Sequence, residues 1–450
     1  MATDNKLVVI GGDAAGMTAA SKVRRTQHDR EIVVFERGRH TSFSACGMPY
    51  FIAGEVSDAD RLVARAPEVF REKQNIDVRT RHEVVRIDVN DRSVVVRDLE
   101  HHREFRESWG ELLIATGASP IRPDVPGIDA EGVFSLSILQ TGIDVHAYVE
   151  ARSPKSAVVV GGGYIGIEMA EAFLARNMEV ALIDMAPQVM PTLDADMAEG
   201  VVEYMRAAGV RVFLQEELAR IEQDEAGRVR EVVTEQRSLP ADLVIIGIGV
   251  RPNSGLAKEA GLELGADGAI RVNGRMETSV PGIWAAGDCA ESHHLVRGEP
   301  TFIALGTVAN KHGLVAGTNI GGGEAEFPGV LGTAITKFND LEIARTGLSE
   351  KEAEDLGRAY RTTTIEARTR SGYYPGSGSI RVKLLVEEES GRLLGGQIVG
   401  MQGAGKRIDT IATALTAGMT ARNVMDLDLS YAPPFSPVWD PVQIAARRLV

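Results

Sequence analysis
Several stretches of the chain are apolar at every position over a few residues and then break at glycine. Leu7–Ile10 runs into Gly11–Gly12, Val158–Val160 into Gly161–Gly163, and Leu243–Ile246 into Gly247 and Gly249. A continuous apolar run is the pattern of a parallel strand buried on both faces. The first run leads into a helix over 14–25 and then a second strand, Glu31–Phe35, closing at Glu36. The second opens a like unit whose second strand ends at Asp184. Strands alternating with helices predict a doubly wound sheet, here twice. Ile76–Asp98 instead alternates apolar and polar positions, which predicts antiparallel strands outside the parallel sheet. Glu111–Gly117 (ELLIATG) and Gly282–Glu291 (GIWAAGDCAE) predict two further strands, the latter running into Gly287–Asp288. Ala118–Gly127, with Pro120, Pro123 and Pro126, reads as a linker, and Arg251–Pro252 leads back toward the first unit. Beyond Gly321–Gly323, short strands at Leu331–Phe338, Ser379–Glu387 and Leu393–Val399 precede a helix near Ile408–Ala417. The expected fold class is α/β: two doubly wound dinucleotide-binding domains followed by a C-terminal α+β domain. The first domain takes residues 1–117 and 250–325, the second 118–249 and the third 326–450.

Composition narrows this picture. A chain of 450 residues is long enough for two to three domains with cores of their own. A net charge of −14 argues against a nucleic-acid partner, whose phosphates need a basic surface. No apolar run approaches the roughly 18 residues that a membrane helix needs. A strand starting at residue 7 leaves no room for a signal peptide ahead of it. Two cysteines give no disulfide framework and fit a reducing cytoplasm. No metal site is expected.

The glycines carry the first chemistry. A helix N-terminus turns free N–H groups and its dipole toward a pyrophosphate, and glycine lets the backbone approach it. In Leu7–Ala20 (LVVIGGDAAGMTAA), Gly11 and Gly16 hold the outer positions and Asp13 replaces the middle glycine, which excludes close approach at that residue. Glu36, 25 residues after Gly11, is placed for the ribose hydroxyls of an adenosine. Val158–Glu168 (VVVGGGYIGIE) is complete, with Gly161, Gly163 and Gly166, and Asp184 follows Gly161 after 23 residues. A carboxylate there repels a 2′-phosphate, so NADH is favoured over NADPH. Thr116–Gly117 and Gly287–Asp288 assign FAD to the first site, because a strand ending in Gly-Asp can bring one carboxylate to the ribityl chain. The expected FAD residues are Gly11, Gly12, Ala14, Ala15, Gly16, Glu36, Arg37, Val84, Thr116, Gly117 and Asp288. The expected NAD residues are Gly161, Gly163, Tyr164, Ile165, Gly166, Glu168, Asp184 and Gly249.

The second chemistry is sulfur. Cys46, in Ser42–Tyr50 (SFSACGMPY), follows Ser42, a good N-cap, and is expected in the first turn of a helix running toward Gly54. That position depresses a thiol pKa and favours the thiolate. Thr41 and Phe51 occupy the places where a second cysteine at five-residue spacing would stand, so Cys46 pairs with something external. Cys289 reads as a packed residue.

With these segments, KQNIDV (Lys73–Val78), GYYPG (Gly372–Gly376), GKRID (Gly405–Asp409) and YAPPFSP (Tyr431–Pro437) make the whole chain resemble the pyridine nucleotide–disulfide oxidoreductases. Within them it is similar to the single-cysteine branch that includes the coenzyme A-disulfide reductases. The resemblance implies a homodimer, a C-terminal dimerisation domain and active sites completed by the partner subunit. It implies Cys46 as the nucleophile that forms a mixed disulfide with coenzyme A, and Tyr431 and Tyr373 of the partner near that sulfur, Tyr431 as proton donor. It implies Lys22, Arg25 and Lys73 on the coenzyme A phosphates and Thr18 and Ser42 as further contacts. Ala45 stands where the family often has asparagine before the cysteine, which leaves the identity of the disulfide open. All nine histidines lie at or before His312, so no C-terminal histidine serves as general acid, and Ala14 stands where related peroxidases and oxidases carry histidine. Two rivals remain at this point: polysulfide, persulfide or oxygen reduction on the same fold, and a non-catalytic flavoprotein that senses or binds a partner. Cys46 separates the second from the rest.

Overall fold
In the computed structural model residues 5–450 are described; the first four residues of the expected segment 1–117 lie outside them. Five parallel strands form the first sheet, in the order Ile283–Ala285, Glu111–Ile114, Leu7–Ile10, Ile32–Glu36, Asp77–Thr80. Its central strand is apolar and enclosed at every residue, and full burial of such side chains is worth about 1.5–3 kcal/mol each. Helix α1 (Ala14–Thr26) follows Leu7–Ile10. It packs closely on α8 (Gly306–Ile320), where Cβ atoms at Gly313 and Gly317 would strike the Ala15 and Ala19 carbonyl oxygens at 2.3 and 2.7 Å. The strand Ile283–Ala285 thus returns to the first sheet after the whole second unit has been built.

That second unit is another five-stranded parallel sheet, ordered Arg211–Leu214, Glu179–Asp184, Ser156–Val160, Leu243–Ile246, Val133–Phe134. Helices α4 (Leu139–Arg152), α5 (Tyr164–Ala175) and α6 (Ala195–Ala207) accompany it. The crossing between units is a two-stranded ladder, Ala118–Pro120 against Val250–Pro252, ahead of α7 (Gly255–Glu259). Thr116 and Asn253 lock it: the Thr116 hydroxyl donates to the Asn253 carbonyl at 2.6 Å, and the Asn253 amide returns a bond to the Thr116 carbonyl at 2.8 Å.

The C-terminal sheet is antiparallel, in the order Ala334–Phe338, Leu341–Gly347, Leu393–Gly400, Ser379–Glu387, Tyr360–Arg368. Four helices accompany it: α9 (Glu350–Asp355), α10 (Ile408–Thr416), α11 (Ala421–Met425) and α12 (Pro441–Arg447). Lys383, almost fully enclosed, docks this sheet on the second unit through Asp194 at 3.2 Å and Asp196 at 2.7 Å, and also pairs with Glu350 of α9 at 3.0 Å. Burying a lysine is costly unless its charge is matched, and three carboxylates match it.

Some local expectations are corrected. Asp77–Thr80 alternates because it is the edge of the parallel sheet, with one face open; the antiparallel meander is His82–Asp88, Ser93–Asp98 and Arg103–Ser108. The proline-rich 118–127 is not wholly a linker, since its first three residues form the crossing ladder. The second strand runs Ile32–Glu36, one residue later than expected. No helix of the described residues is long and apolar enough to cross a membrane.

Candidate active site
Both fingerprint loops are built alike. Gly11 (φ +107°) and Gly161 (φ +103°) occupy left-handed backbone where a Cβ would lie 2.1 Å from the Ala115 carbonyl oxygen and 2.5 Å from that of Gly247. Gly16 and Gly166 each lie against the carbonyl of the first glycine, 2.0 and 1.9 Å from a would-be Cβ. The acidic residues close the loops. Glu36 accepts from the Gly12 and Gly38 amides at 2.7 and 2.6 Å, and Asp184 from the Gly162 and Ala186 amides at 2.6 and 2.7 Å.

Around the first loop, Ala14 opens α1, Ala15 is buried at the Gly287 turn, and Arg37 is exposed, 3.8 Å from Glu83. Val84 is buried in the core beside this sheet. Gly117 takes a positive φ in the crossing segment beside Thr116. Asp288 closes the cradle: its Oδ1 is buried without a hydrogen-bond partner, and burial raises its carboxyl to about 6. An orphaned acceptor at the end of a strand, over glycines that leave no room for Cβ, fits the hydroxyl-bearing ribityl chain of FAD. Around the second loop, Gly163 is the N-cap residue of α5, followed by Tyr164 and Ile165, and Gly249 (φ +111°) lies exposed at the crossing. Glu168, further along α5, accepts from the Thr336 hydroxyl at 2.8 Å and its charge reaches Cys46.

Cys46 lies in a single 3-10 turn, Ala45–Gly47, that continues into α2 (Met48–Ala53), which Gly54 ends in left-handed conformation. The residue is exposed. Ser42 is not the N-cap: it has φ +48°, donates its amide to the Gly12 carbonyl at 3.2 Å, and so joins the FAD loop to the redox segment. Next to it, the Phe43 amide donates to Asp13 at 3.2 Å. The expectation of a depressed thiol is corrected. Burial on its inner side pushes the Cys46 thiol up, and the charges of Glu168 and Asp288 push the same way. The single 3-10 turn that holds Cys46 and the six-residue α2 that follows it are too short to supply a dipole that outweighs them. Helix α2 rests on the second unit: Met48 packs at Gly142 of α4, and Arg176, just past α5, donates to the Ile52 carbonyl at 2.7 Å.

Thr18, Lys22 and Arg25 lie along one stripe of α1, where Thr18 bonds Asn310 of α8 at 3.0 Å. Lys73 is exposed at the end of α3 (Pro67–Gln74), which Arg24 ties to α1 through the Asn75 carbonyl at 2.7 Å. Tyr373 and Tyr431 sit on two adjoining loops, joined by the Ser371 amide on the Pro433 carbonyl at 3.2 Å. Arg407 fastens both, donating to the Thr369 and Phe435 carbonyls at 2.7 and 2.8 Å. The two tyrosines, with Phe435, Val438 and Trp439, form an exposed apolar group; Tyr373 is 78% exposed. Cys289 is fully buried, its Sγ 3.4 Å from the Ile114 and Ala286 carbonyl oxygens. Among the described residues no group of three or more His, Cys, Asp or Glu is arranged for a metal ion.

Sequence reasoning missed Tyr50, Glu171, Thr336 and Lys337. Only Tyr50 carried a signal, standing four residues after Cys46 in the same helical segment.

Residues 5–313 match the family described as pyridine nucleotide-disulphide oxidoreductase, and residues 333–441 its dimerisation domain. The chain is 43% identical over 445 residues to an NAD(P)H coenzyme A polysulfide/persulfide reductase of Pyrococcus horikoshii, covering 99% of this chain and 98% of that one. It is 38% identical over 449 residues to an NADH oxidase of Methanocaldococcus jannaschii (98% of each). It is 30% identical over 432 residues to a coenzyme A disulfide reductase of Staphylococcus haemolyticus (96% of each). Among solved structures, reduced Bacillus anthracis CoADR-RHD superimposes with a TM-score of 0.95 at 37% identity, covering 99% of this chain and 80% of that one. An NAD-dependent persulfide reductase from A. fulgidus gives 0.94 at 41% identity, covering 98% and 82%.

Proposed function
This chain belongs to the pyridine nucleotide-disulphide oxidoreductases, a family of FAD-dependent NAD(P)H enzymes, and from that premise we propose that it reduces coenzyme A disulfide through Cys46. The observation that carries the reading is one accessible thiol with no partner: Cys46 is exposed, whereas Cys289 is enclosed. A lone thiol of this kind exchanges with an external disulfide.

FAD would be held by Gly11, Gly12, Ala14, Ala15, Gly16, Glu36, Thr116, Gly117 and Asp288, in a module formed by residues up to 117 and by 250–325. When bound, it supplies two-electron transfer between pyridine nucleotide and sulfur. NADH would lie on Gly161, Gly163, Gly166 and Asp184. The Cys46 thiolate attacks one sulfur of coenzyme A disulfide; that S–S bond breaks and one coenzyme A thiolate leaves, giving a Cys46–coenzyme A mixed disulfide. Two electrons drawn from NADH then break the mixed disulfide, restoring the thiolate and releasing the second coenzyme A. The sum consumes NADH, one disulfide and one proton and yields NAD⁺ and two thiols. Lys22, Arg25 and Lys73 hold the substrate phosphates, beside Thr18 and Ser42. Tyr431 and Tyr373 of the partner subunit protonate or stabilise the departing thiolate. Their exposure, and the match of 333–441 to a dimerisation domain, favour a homodimer in which these loops cover the partner's Cys46.

A second reading keeps every step but changes the acceptor to a coenzyme A persulfide, so that attack of Cys46 releases hydrogen sulfide. It is favoured by the persulfide-reducing names of relatives at 43% identity, against 30% for the disulfide reductase. Product analysis without oxygen separates the two. Coenzyme A disulfide should give two thiols per NADH; a persulfide should give one thiol and one sulfide. Faster turnover of the persulfide would install the second reading, and NADH consumption that needs air would overturn both. A heterodimer of Cys46→Ser with a Tyr373→Phe, Tyr431→Phe chain keeps one intact site if the sites are shared. Activity near zero would show that they are not.

A further inference from the structure
Three elements converge behind Cys46, one from each part of the chain. Helix α2 carries Tyr50; α5, which starts at the second glycine loop, carries Glu168 and Glu171; the C-terminal strand Ala334–Phe338 carries Thr336 and Lys337. The Thr336 hydroxyl donates to Glu168 at 2.8 Å, and the Lys337 ammonium pairs with Glu171 while standing 5.4 Å from the centre of the Tyr50 ring. We propose that Lys337, with Thr336 beside it, is a positioning residue for the sulfur chemistry of Cys46: the C-terminal strand supplies a cation that pairs with Glu171 and a hydroxyl that binds Glu168, the α5 carboxylate whose charge reaches the thiol. This rests on the reading of Cys46 as the redox thiol.

The argument is one of charge balance. Glu168 and Glu171 stand three residues apart on one helical face, where like charges repel. Both are pushed upward by burial, opposed by the Thr336 hydroxyl and Lys337 respectively. The groups acting on Cys46 and Tyr50 are Glu168 and Glu171 from α5, Glu55 just past α2 and Asp288 from the FAD turn. All four are acids; burial first, and then Glu168, Glu171 and Glu55, raise the Tyr50 hydroxyl to about 12. Lys337 is the cation of this group. Without it the carboxylates stand uncompensated, the potential at the thiol becomes more negative, and Cys46 ionises at higher pH. Since the thiolate is the nucleophile, exchange at neutral pH slows with it.

The test is the alkylation rate of Cys46 by iodoacetamide against pH, on the FAD-loaded protein, with Cys46→Ser as the blank. Lys337→Met should move the midpoint upward by about half a unit to one unit, the size expected when one carboxylate near the thiol loses its compensating charge in a partly shielded site. Lys337→Arg should reproduce the parent profile, and Glu168→Gln added to Lys337→Met should return the midpoint toward it. If Lys337→Met fails to retain flavin, Lys337→Gln carries the same expectation. Coincident profiles for Met, Arg and parent would overturn the proposal, as would a Met shift that Glu168→Gln leaves untouched. Alkylation reads the thiolate whatever its substrate, so failure here is distinct from failure of the same preparations to reduce coenzyme A disulfide.

Discussion
The two glycine loops are the same device put to different uses. Their outer glycines meet the same obstacle, a carbonyl oxygen at about the closest distance a backbone permits, and their acids close the loops through the same pair of amides. They differ in the middle. Gly163 has open space around it, whereas Asp13 has a buried carboxyl that binds the Phe43 amide of the redox segment. The outer positions are fixed by backbone geometry and tolerate no variation of purpose. The middle position is free, and in the first loop it fastens the cofactor cradle to the segment that carries Cys46. The second loop is held only through its backbone, by the Met190 amide on the Gly162 carbonyl at 2.8 Å, and its middle glycine carries no side chain that could make a second tie.

The largest effect expected of any substitution separates sulfur from both loops. Cys46→Ser should drop disulfide reduction to background while FAD stays bound and NADH still bleaches its visible absorbance. Appreciable residual disulfide reduction would break the division of labour. Next, Gly11→Ala and Gly161→Ala should fail differently. Each forces a side chain into left-handed backbone against a carbonyl, at a combined cost of about 2–4 kcal/mol. The first variant should lose FAD, read from its absorbance; the second should stay yellow and bind NADH at least about tenfold more weakly. Equal loss of FAD in both would mean that the loops do not serve separate ligands.

A smaller effect concerns the acids. Asp184 should make NADH the better donor by about tenfold in kcat/KM, roughly 1.4 kcal/mol, and Asp184→Ala should narrow that gap. A tenfold preference for NADPH in the parent would reverse the reading. The last bears on stability rather than on turnover, in FAD-free protein. Burial raises Asp13 from 3.8 to about 6, against the pull of the Phe43 amide and with the Glu36 and Asp288 charges adding to the rise. Between about pH 4 and pH 6 the native state therefore holds a proton that the unfolded chain has lost, and stability falls as pH rises through that window. Asp13→Asn, which keeps an acceptor for Phe43, should flatten the fall and gain about 1–3 kcal/mol above pH 6. Parallel denaturation curves at pH 4 and pH 7 would show that Asp13 is not buried as described.

What was legible in the sequence was what is local. Strand, glycine, helix and closing acid lie within one unit, so Leu7–Ile10 through Glu36 and Ser156–Val160 through Asp184 could be read from spacing alone. The strand Asp77–Thr80 was misread because an edge strand half open to solvent alternates like an antiparallel one. The thiol environment could not be read at all. Glu168, Asp288 and Lys337 come from three distant parts of the chain, and only the folded arrangement brings their charges together. Tyr373 and Tyr431 were found through motif resemblance, while the Arg407 contacts that hold their loops together have no local signature.

The central claim is that Cys46 exchanges with a coenzyme A disulfide, and the intact mass of the protein tests it most directly. After incubation with coenzyme A disulfide and removal of excess, each chain should gain one coenzyme A in disulfide linkage. The adduct should map to Cys46, be lost on addition of NADH to the FAD-loaded protein, and never form in Cys46→Ser. An unmodified mass, or an adduct that NADH leaves in place, would contradict the account.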